Sequence, residues 1–398
     1  MTRLLDDARA RIDGVLRQAV DAREVPGAVA MAATEEGILY AGAFGLRALD
    51  ETAPMTLDTV FRIASMTKAI TSVAAMQLVE QGKLALNDPV PNIDPALGAP
   101  QVLEGFDAAG APKLRPAARP ITLRHLLSHT AGFTYDIWNA TTGRYMQATG
   151  MPGRVSGKIC SIRMPLAFDP RERWHYGVNT DWVGRLVEAV SGRPLDEYFR
   201  ENIFGPLGMK DSGFVTSGEQ RARQARMHTR QADGSLALQP LEPAAAATPE
   251  FWSGGALLYS TTGDYLRFLR MLLHGGRLDG SRVLEPETVT LMHQNHTGNL
   301  QAGILKTNIA ALSNDVDFFP GAPIRWSLGH MLNVEPGPNG RSAGTVSWAG
   351  LSNTYYWLDR VKRVTGLIMM QILPFADARA VKVYGQFEHG VYEALKAS

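Results

Sequence analysis

The chain has 398 residues, of which 45% are hydrophobic and 20% charged, and its formal net charge is +1 at pH 7. This balance is ordinary for a globular protein. It excludes the strongly basic composition of nucleic-acid-binding and membrane-surface proteins, so we expect neither partner. The single cysteine, Cys160, excludes an internal disulfide and a cysteine-based zinc site. Residues 1–12 lack the apolar core of a secretory signal, and no later stretch is apolar enough to cross a bilayer, which indicates a cytoplasmic protein.

The spacing of apolar residues predicts strands towards both ends of the chain and helices in its middle. An amphipathic helix is predicted over residues 4–20, and a hairpin follows with strands at 27–34 and 38–44. Residues 98–120 are rich in glycine, alanine and proline, which indicates a loop. Further helices are predicted over residues 122–129, 179–191, 195–204 and 263–274. Strands are predicted at residues 326–334, 345–348, 354–358 and 366–373, with a final helix over 380–396.

This order predicts an α+β fold in which both chain ends form one antiparallel sheet flanked by the N- and C-terminal helices. A large, mainly helical insertion interrupts the sheet. We expect residues 1–70 and 255–398 to form the sheet domain and residues 71–254 to form the inserted domain. The active site is expected at their interface, because such boundaries are preferred places for clefts.

Ser65 and Lys68 stand three residues apart at the predicted start of a helix, in the segment Ser65-Met-Thr-Lys68. Residues at that spacing share a helix face, with β-carbons about 5–6 Å apart, so the lysine can reach the serine oxygen. Residues 69–79 are apolar nearly all round, which predicts a buried helix. Burial disfavours the charged form of a lysine, and a serine nucleophile needs a neighbouring base. The pair therefore predicts acyl transfer through a covalent serine intermediate.

Two later segments carry groups that such chemistry can use. Tyr176 precedes a predicted helix, and a lysine ammonium beside it would favour its phenolate form for proton exchange with the serine. The strand that ends in Trp348, Ala349 and Gly350 has small residues that let a ligand approach the backbone. A backbone N–H there can stabilise an oxyanion together with the N–H of the nucleophile. Taken singly, both segments are equally compatible with ordinary core packing.

Further stretches extend this pattern over most of the chain: Phe61-Arg-Ile-Ala-Ser-Met-Thr-Lys68, Leu123-Arg-His-Leu-Leu-Ser-His-Thr-Ala-Gly132, Pro206-Leu-Gly-Met209 and Gly254-Gly-Ala-Leu-Leu-Tyr-Ser-Thr-Thr-Gly-Asp-Tyr265. Together they resemble the serine acyl-enzyme superfamily of class C β-lactamases, penicillin-recognising DD-peptidases and family VIII carboxylesterases. The resemblance implies Ser65 as nucleophile with Lys68 and Tyr176 as its catalytic partners, and it leaves open which of these two is the base. It implies the N–H groups of Ser65 and Leu351 as oxyanion donors. We expect no cofactor and no metal.

Two departures from the penicillin-binding members bear on the substrate. Those members carry Tyr-x-Asn, whereas here Val178 stands two places after Tyr176 and Asn179 follows it. Their third motif begins with a lysine or histidine, where this chain has Trp348, close to the Trp-Gly-Gly of family VIII esterases. Tryptophan offers apolar area and an indole N–H but no charge. The difference favours an uncharged, small-molecule carboxylic ester with a short or small acyl group over an anionic antibiotic.

Substrate-binding residues are predicted on the same basis. Trp348 and Gly350 belong to the third motif, and Tyr135 and Trp138 follow the turn at Gly132. These aromatic residues could equally be part of the core. The sequence does not indicate an oligomeric state.

Two other patterns predict different chemistry. Ser342 lies in a Gly-x-Ser-x-Gly pattern like that of α/β-hydrolases, but turn residues precede it and a strand follows, so we expect a hairpin loop. His125 with His129, and His293 with His296, have helical spacings compatible with metal binding. No third ligand is evident near either pair, and His125 and His129 are expected to cap or brace the loop that ends at Gly132.

Three alternative functions share the Ser65 site. A β-lactamase or DD-peptidase-like amidase would use the same nucleophile on a different carbonyl. An acyltransferase would pass the acyl group from Ser65 to an alcohol instead of water. A binding module would retain the fold without turnover, although loss of activity usually accompanies substitution of the serine or lysine, and both are present.

Overall fold

A computed structural model describes residues 6–240 and 249–396. Residues 4 and 5 of the predicted first helix, and residues 241–248 of the predicted insertion, lie outside these ranges. The helices are α1 Asp6–Asp21, α2 Thr67–Glu80, α3 Pro95–Gly98, α4 Leu123–Leu127, α5 Ala140–Thr149, α6 Asn179–Ser191, α7 Leu195–Phe199, α8 Gly205–Leu207, α9 Gly218–Ala222, α10 Thr262–Leu273, α11 Pro286–Met292 and α12 Ala378–Lys396.

The strands are β1 Gly27–Thr34, β2 Ile38–Gly45, β3 Val60–Arg62, β4 Gln101–Phe106, β5 Pro112–Pro116, β6 His228–Arg230, β7 Leu236–Leu238, β8 Tyr259–Thr261, β9 Arg277–Leu278, β10 Ser281–Arg282, β11 Ile324–Trp326, β12 Met331–Asn333, β13 Val346–Gly350, β14 Thr354–Asp359, β15 Val364–Met369 and β16 Ile372–Leu373.

One seven-stranded antiparallel sheet joins the two ends of the chain, in the order β11-β12-β13-β14-β15-β1-β2. The N-terminal hairpin of β1 and β2 attaches to β15, where Val29 pairs with Met369 and Thr34 with Val364. Helices α1 and α12 pack against each other, α1 also packs on β2, and α10 packs on β1 and β15. The predicted α+β fold, with its antiparallel sheet formed from both chain ends, is therefore confirmed. The division into two domains stays a prediction.

Helix α2 carries the Ser-x-x-Lys lysine and is buried along nearly its whole length, from Thr67 to Leu78. Its sequence is apolar on most faces, as expected of a helix surrounded by protein. It packs against α6, and Tyr265 of α10 donates a hydrogen bond of 2.9 Å to the carbonyl of Met66. The start of α2 is thus fixed from two sides.

The predicted loop over residues 98–120 is wrong, because β4 and β5 form an antiparallel hairpin there. The turn is closed by Asp107, whose carboxylate accepts hydrogen bonds from the amides of Ala109 and Ala111 at 2.9 Å each. Leu103 donates its N–H to the carbonyl of Leu166 at 2.8 Å, and Leu166 donates back to Gln101 at 2.7 Å. These distant partners stabilise a hairpin that local composition does not indicate.

Two predicted strands are each divided in the structure. Residues 326–334 contain a reversal between β11 and β12, where Gly329 has φ +107° and a β-carbon would lie 2.3 Å from Ser72 Oγ. Residues 366–373 leave the main sheet after Met369, and β16 pairs in parallel with β6 instead. Two predicted helices also differ. Residues 195–204 comprise α7 followed by a π-helical turn, and the helix predicted at 122–129 spans only α4.

The last helix is fastened to the sheet by a buried ion pair between Arg341 and Glu388. Both side chains are 3% exposed. Arg341 also donates to Ser347 Oγ at 2.9 Å and to the hydroxyl of Tyr384 at 2.5 Å, so its guanidinium is well satisfied. The pair joins α12 to the segment that enters β13.

Removing one partner of this pair should destabilise the protein strongly. We expect Glu388→Gln to lower the free energy of unfolding by about 3–5 kcal/mol, because it leaves the Arg341 charge buried without its counter-ion. Urea unfolding monitored by circular dichroism measures the change. Glu393→Gln on the same helix is the control: Glu393 pairs with Lys396 at the surface, and its loss should change stability by about 1 kcal/mol or less. Equal effects would contradict the structural role of the buried pair.

Candidate active site

Ser65 lies in a short 3₁₀ turn, Ala64–Met66, between β3 and α2 rather than within the helix itself. Ala64 has φ +43°, a left-handed conformation that is uncommon for a residue with a β-carbon. Thr67 stabilises the turn by donating its hydroxyl hydrogen to the carbonyl of Ala64 at 2.6 Å. The strained turn presents Ser65 ahead of the first helical residue, where it lines a cavity.

The amine of Lys68 is fully buried and contacts three oxygen atoms. Its Nζ lies 3.3 Å from Ser65 Oγ, 3.1 Å from the hydroxyl of Tyr135 and 2.6 Å from the carbonyl of Gly255. Burial lowers the pKa of Lys68 from 10.5 to about 7. The charge of Asp181 opposes this shift and that of Arg154 reinforces it. Near neutral pH the amine is therefore about half unprotonated.

Asp181, which the sequence analysis missed, organises the surroundings of Lys68. Its carboxylate accepts hydrogen bonds from Ser253 Oγ at 2.5 Å and from the amide of Gly255 at 3.1 Å. Tyr135 donates its hydroxyl hydrogen to the same carboxylate at 3.5 Å. A β-carbon on Gly255 would lie 2.6 Å from Asp181, so only glycine fits this approach. An aspartate among the apolar residues of α6 was the available signal, since a buried carboxylate requires partners.

Tyr176 lies beside the Ser–Lys pair and is held by Trp348. The Trp348 indole N–H donates to the Tyr176 hydroxyl at 2.9 Å, and that hydroxyl also hydrogen-bonds Ser65. Lys68 Nζ is 4.7 Å from the centre of the Tyr176 ring. Burial nevertheless raises the pKa of Tyr176 well above its usual value, against the opposing hydrogen bonds from Ser65 and Trp348. The expectation of a favoured phenolate is therefore wrong, because desolvation outweighs the effect of the neighbouring groups.

The end of β13 is pressed against the turn that carries Ser65. A β-carbon on Gly350 would lie 2.3 Å from the carbonyl oxygen of Ile63 and 2.4 Å from Thr354 Oγ1. Leu351, the next residue, lines the same cavity as Ser65. Within the described ranges, the amide of Leu351 donates no hydrogen bond to another protein group. The two amides predicted as oxyanion donors thus belong to adjacent segments at one cavity.

This cavity has a volume of about 220 Å³ and a mostly apolar wall. Of the predicted substrate-binding residues, Tyr135 and Trp138 line it, whereas Trp348 and Gly350 do not. Trp348 lies behind Tyr176, and Gly350 faces the backbone of Ile63. The other lining residues are Arg62, Ala64, Ser65, Ile137, Arg154, Val155, Met227, Gln239, Ala256, Leu257, Leu312, Leu351, Ser352 and Leu373.

Several polar residues near the motifs have other roles. The side-chain amide of Asn179 donates to His129 at 3.0 Å and to the carbonyl of Phe133 at 3.1 Å. His129 packs on Tyr176 with ring centres 4.7 Å apart, while His125 accepts the amide hydrogen of Thr122 at the N-terminus of α4. Within residues 6–240 and 249–396, no group of three or more potential metal ligands is found.

Ser342 lies in the turn before β13, as the sequence predicted. Its amide donates to the carboxylate of Asp359 at 2.9 Å, and its carbonyl accepts from Asn333 and from the hydroxyl of Thr345. A strand follows it rather than a helix. The strand-to-helix turn on which an α/β-hydrolase serine depends is absent at this position.

The antiparallel sheet, the helical insertion and the cluster of Ser65, Lys68 and Tyr176 define a serine hydrolase or acyltransferase with a β-lactamase-like fold. The chain belongs to the beta-lactamase family, whose model matches residues 12–390. Across the described ranges, no helix has the length and apolar character needed to cross a membrane.

Several relatives that match along nearly the whole chain are named as enzymes of ester chemistry. The chain is 33% identical over 408 residues to monacolin J acid methylbutanoyltransferase of Aspergillus terreus, covering 97% of each protein. It is 31% identical over 412 residues to lovastatin esterase of Penicillium rubens, covering 97% of this chain and 99% of that protein. Among solved structures, a mutant of simvastatin synthase (LovD) from Aspergillus terreus matches with a TM-score of 0.86 and 31% identity, covering 99% and 96% of the two chains.

A methyl group on Gly350 should impair the site without broadly unfolding the protein. Because its β-carbon would meet the Ile63 carbonyl at 2.3 Å, Gly350→Ala must push β13 away from the Ser65 turn. We expect covalent labelling of Ser65 by a fluorophosphonate, followed by intact mass, to slow by about 10²-fold, the effect of losing one oxyanion donor. Gly153→Ala is the control, since nothing lies within 4 Å of its β-carbon position and its φ is −64°. Equal labelling rates for Gly350→Ala and wild type would contradict this packing argument.

Proposed function

We propose that this protein is a serine hydrolase that cleaves uncharged carboxylic esters of small acyl groups through an acyl-Ser65 intermediate. The observation that carries the proposal is the 3.3 Å contact between Ser65 Oγ and the buried amine of Lys68, whose pKa is lowered to about 7. A base with a pKa near the working pH is the most effective proton acceptor for such a nucleophile. The apolar cavity beside Ser65 supports an ester with a small acyl group.

In this proposal the neutral Lys68 is the base for acylation. An unprotonated amine has two N–H donors and one lone pair. Gly255 can take one N–H at 2.6 Å and the Tyr135 hydroxyl can take the other at 3.1 Å, since Tyr135 donates its own hydrogen towards Asp181. The lone pair then remains for the hydrogen of Ser65. Tyr176, kept protonated by burial, exchanges protons between Ser65 and the leaving alcohol as a neutral hydroxyl.

The reaction then proceeds in two steps of the same kind. Ser65 Oγ bonds to the ester carbonyl carbon as its proton passes to Lys68, and the oxyanion rests on the amides of Ser65 and Leu351. The bond to the alcohol breaks, the alcohol leaves with a proton returned through Tyr176, and acyl-Ser65 remains. Water attacks this ester by the reverse proton path and releases the acid.

Trp348 supports esters over β-lactams. At its position a penicillin-binding relative would have a cation for the substrate carboxylate, whereas the Trp348 indole N–H is already donated to Tyr176. Guanidinium groups also line the cavity. One is that of Arg154, whose Cζ lies 4.1 Å from the centre of the Tyr135 ring. Nitrocefin hydrolysis therefore belongs in the test, and efficient cleavage would move the assignment to β-lactamase.

Acyl transfer to an alcohol is the second candidate function. It is favoured by the 33% identity over 97% of the chain to a methylbutanoyltransferase, while the 31% identity to lovastatin esterase favours hydrolysis. The two functions share acyl-Ser65 and differ in the molecule that attacks it. The two functions are separated by measuring the ratio of new ester to acid during ester turnover at increasing concentrations of a primary alcohol. A transferase forms mainly the new ester, and a hydrolase forms mainly the acid.

Ser65→Ala should abolish turnover of p-nitrophenyl butyrate. We expect kcat/KM to fall by about 10⁴-fold or more, because no other group can form the covalent intermediate. Intact mass after brief mixing with a slow acylating ester should show an adduct on wild type and none on Ser65→Ala. Ser342→Ala is the matched control and should retain normal turnover, since its serine is part of a turn. Activity that survives Ser65→Ala and is lost in Ser342→Ala would overturn the proposal.

The pH dependence should report the state of Lys68. Because the neutral amine is the proposed base and its pKa is about 7, kcat/KM should rise with pH and be half-maximal near that value. This rise of kcat/KM is the acid limb of the pH profile. The charge of Asp181 raises the pKa of Lys68, so Asp181→Asn should move the acid limb to lower pH, by about 1–3 units.

Asp94→Asn is the control for this shift. Asp94 is also a buried carboxylate, but it pairs with Arg163 and does not act on Lys68. Its substitution should leave the acid limb in place, whatever its effect on stability. An unchanged or upward-shifted limb in Asp181→Asn would contradict the assignment of Lys68 as the base.

A further inference from the structure

A second large concavity lies near α4, and none of its lining residues lines the Ser65 cavity. Its volume is about 670 Å³. We call it the basic groove, after three arginines and two histidines in its wall: Arg119, Arg124, Arg171, His125 and His296. Three threonines, Thr122, Thr130 and Thr297, also line it, and no aspartate or glutamate does.

The three guanidinium groups have no carboxylate partner of their own among the described residues. Arg124 bonds the neutral groups Asn87 Oδ1, at 2.9 Å, and the His296 ring, and only burial shifts its pKa, downwards. The pKa of the nearby Asp169 carboxyl is lowered, mainly by its hydrogen bond to Arg115 and in part by the charge of Arg119. It is already held by Arg115 through two bonds of 3.2 and 2.8 Å and by an amide.

The positive charges converge on one histidine. Burial, followed by the charges of Arg171, Arg119 and Arg124, lowers the pKa of His125 to about 4. The imidazole is thus neutral at pH 7, and its Nδ1 accepts the amide hydrogen of Thr122 at 3.2 Å. Like charges brought together repel each other, and Asp169, the carboxylate that interacts with Arg119, is already bound by Arg115. The three arginines therefore form a site that an anion would complete.

We propose that the basic groove binds the phosphate group of a small-molecule ligand. Guanidinium groups donate paired, planar N–H bonds that match phosphate oxygens, and a concave wall of arginine and threonine supplies several such donors at once. The volume admits a phosphate together with further atoms of its carrier. A nucleic acid would require a longer basic stripe than this bounded groove, and the net charge of +1 provides none.

The test is isothermal titration calorimetry of the full chain with inorganic pyrophosphate at about 0.15 M ionic strength, where weak surface attraction is screened. Wild type should bind, and the double variant Arg119→Ala/Arg171→Ala should bind about tenfold or more weakly. The corresponding double lysine variant should fall between them, because lysine keeps the charge but not the planar fork. Arg193→Ala/Arg200→Ala is the matched control, since both arginines pair with Glu201 elsewhere on the surface.

A second measurement locates the bound anion. Pyrophosphate in the groove should raise the pKa of His125, because a negative charge favours the imidazolium form. NMR titration measures this pKa, and the His125→Asn variant identifies the His125 signal. Ester turnover by the double alanine variant should stay normal, which shows that it is folded. The proposal is overturned if wild type does not bind pyrophosphate, if the double alanine variant binds it equally well, or if the control variant weakens binding to the same extent.

Discussion

The burial of the Lys68 amine is the constraint on which the site depends. Lys68 lies in the first turn of a helix that is buried on nearly every face, so its charged form is disfavoured and its pKa falls to about 7. A charge in such a place is tolerated only when polar partners surround it. The carbonyl of Gly255, the Tyr135 hydroxyl and the nearby carboxylate of Asp181 supply them. Each of these partners comes from a different part of the chain.

Close backbone approach is the second requirement, and it explains why glycine stands at two points. Gly255 allows its segment to reach Asp181, and Gly350 allows β13 to reach the turn before α2. In both places a single methyl group would displace main-chain or buried polar atoms. The position of Leu351 relative to Ser65 is therefore fixed by backbone contact, and the Gly255 carbonyl that accepts from Lys68 is held against the carboxylate of Asp181. Preorganisation of this kind suits a site whose donors must be in place before charge develops.

The sequence predicted the sheet and the central motif because both depend on local or repeating signals. Apolar runs at the two chain ends predicted the strands, and the spacing of Ser65 and Lys68 on a buried helix predicted their contact. The hairpin of β4 and β5 was missed because its bonds to Leu166 come from distant residues. Asp181 was missed for the same reason: its partners lie on other segments. The ionisation of Tyr176 was misjudged because burial, which a sequence shows poorly, outweighs the hydrogen bonds that oppose it.

The arrangement of the sheet has a consequence for the order in which the protein is made. Ser65 and Lys68 leave the ribosome early, whereas β13 and Leu351 are among the later segments, and β15 must arrive before the N-terminal hairpin finds its neighbour. A nascent chain that ends before β13 holds the serine and the amine without the strand that completes the cavity. Until β13 has been made, the turn that carries Ser65 therefore lacks its neighbour at Gly350, and the cavity stays incomplete.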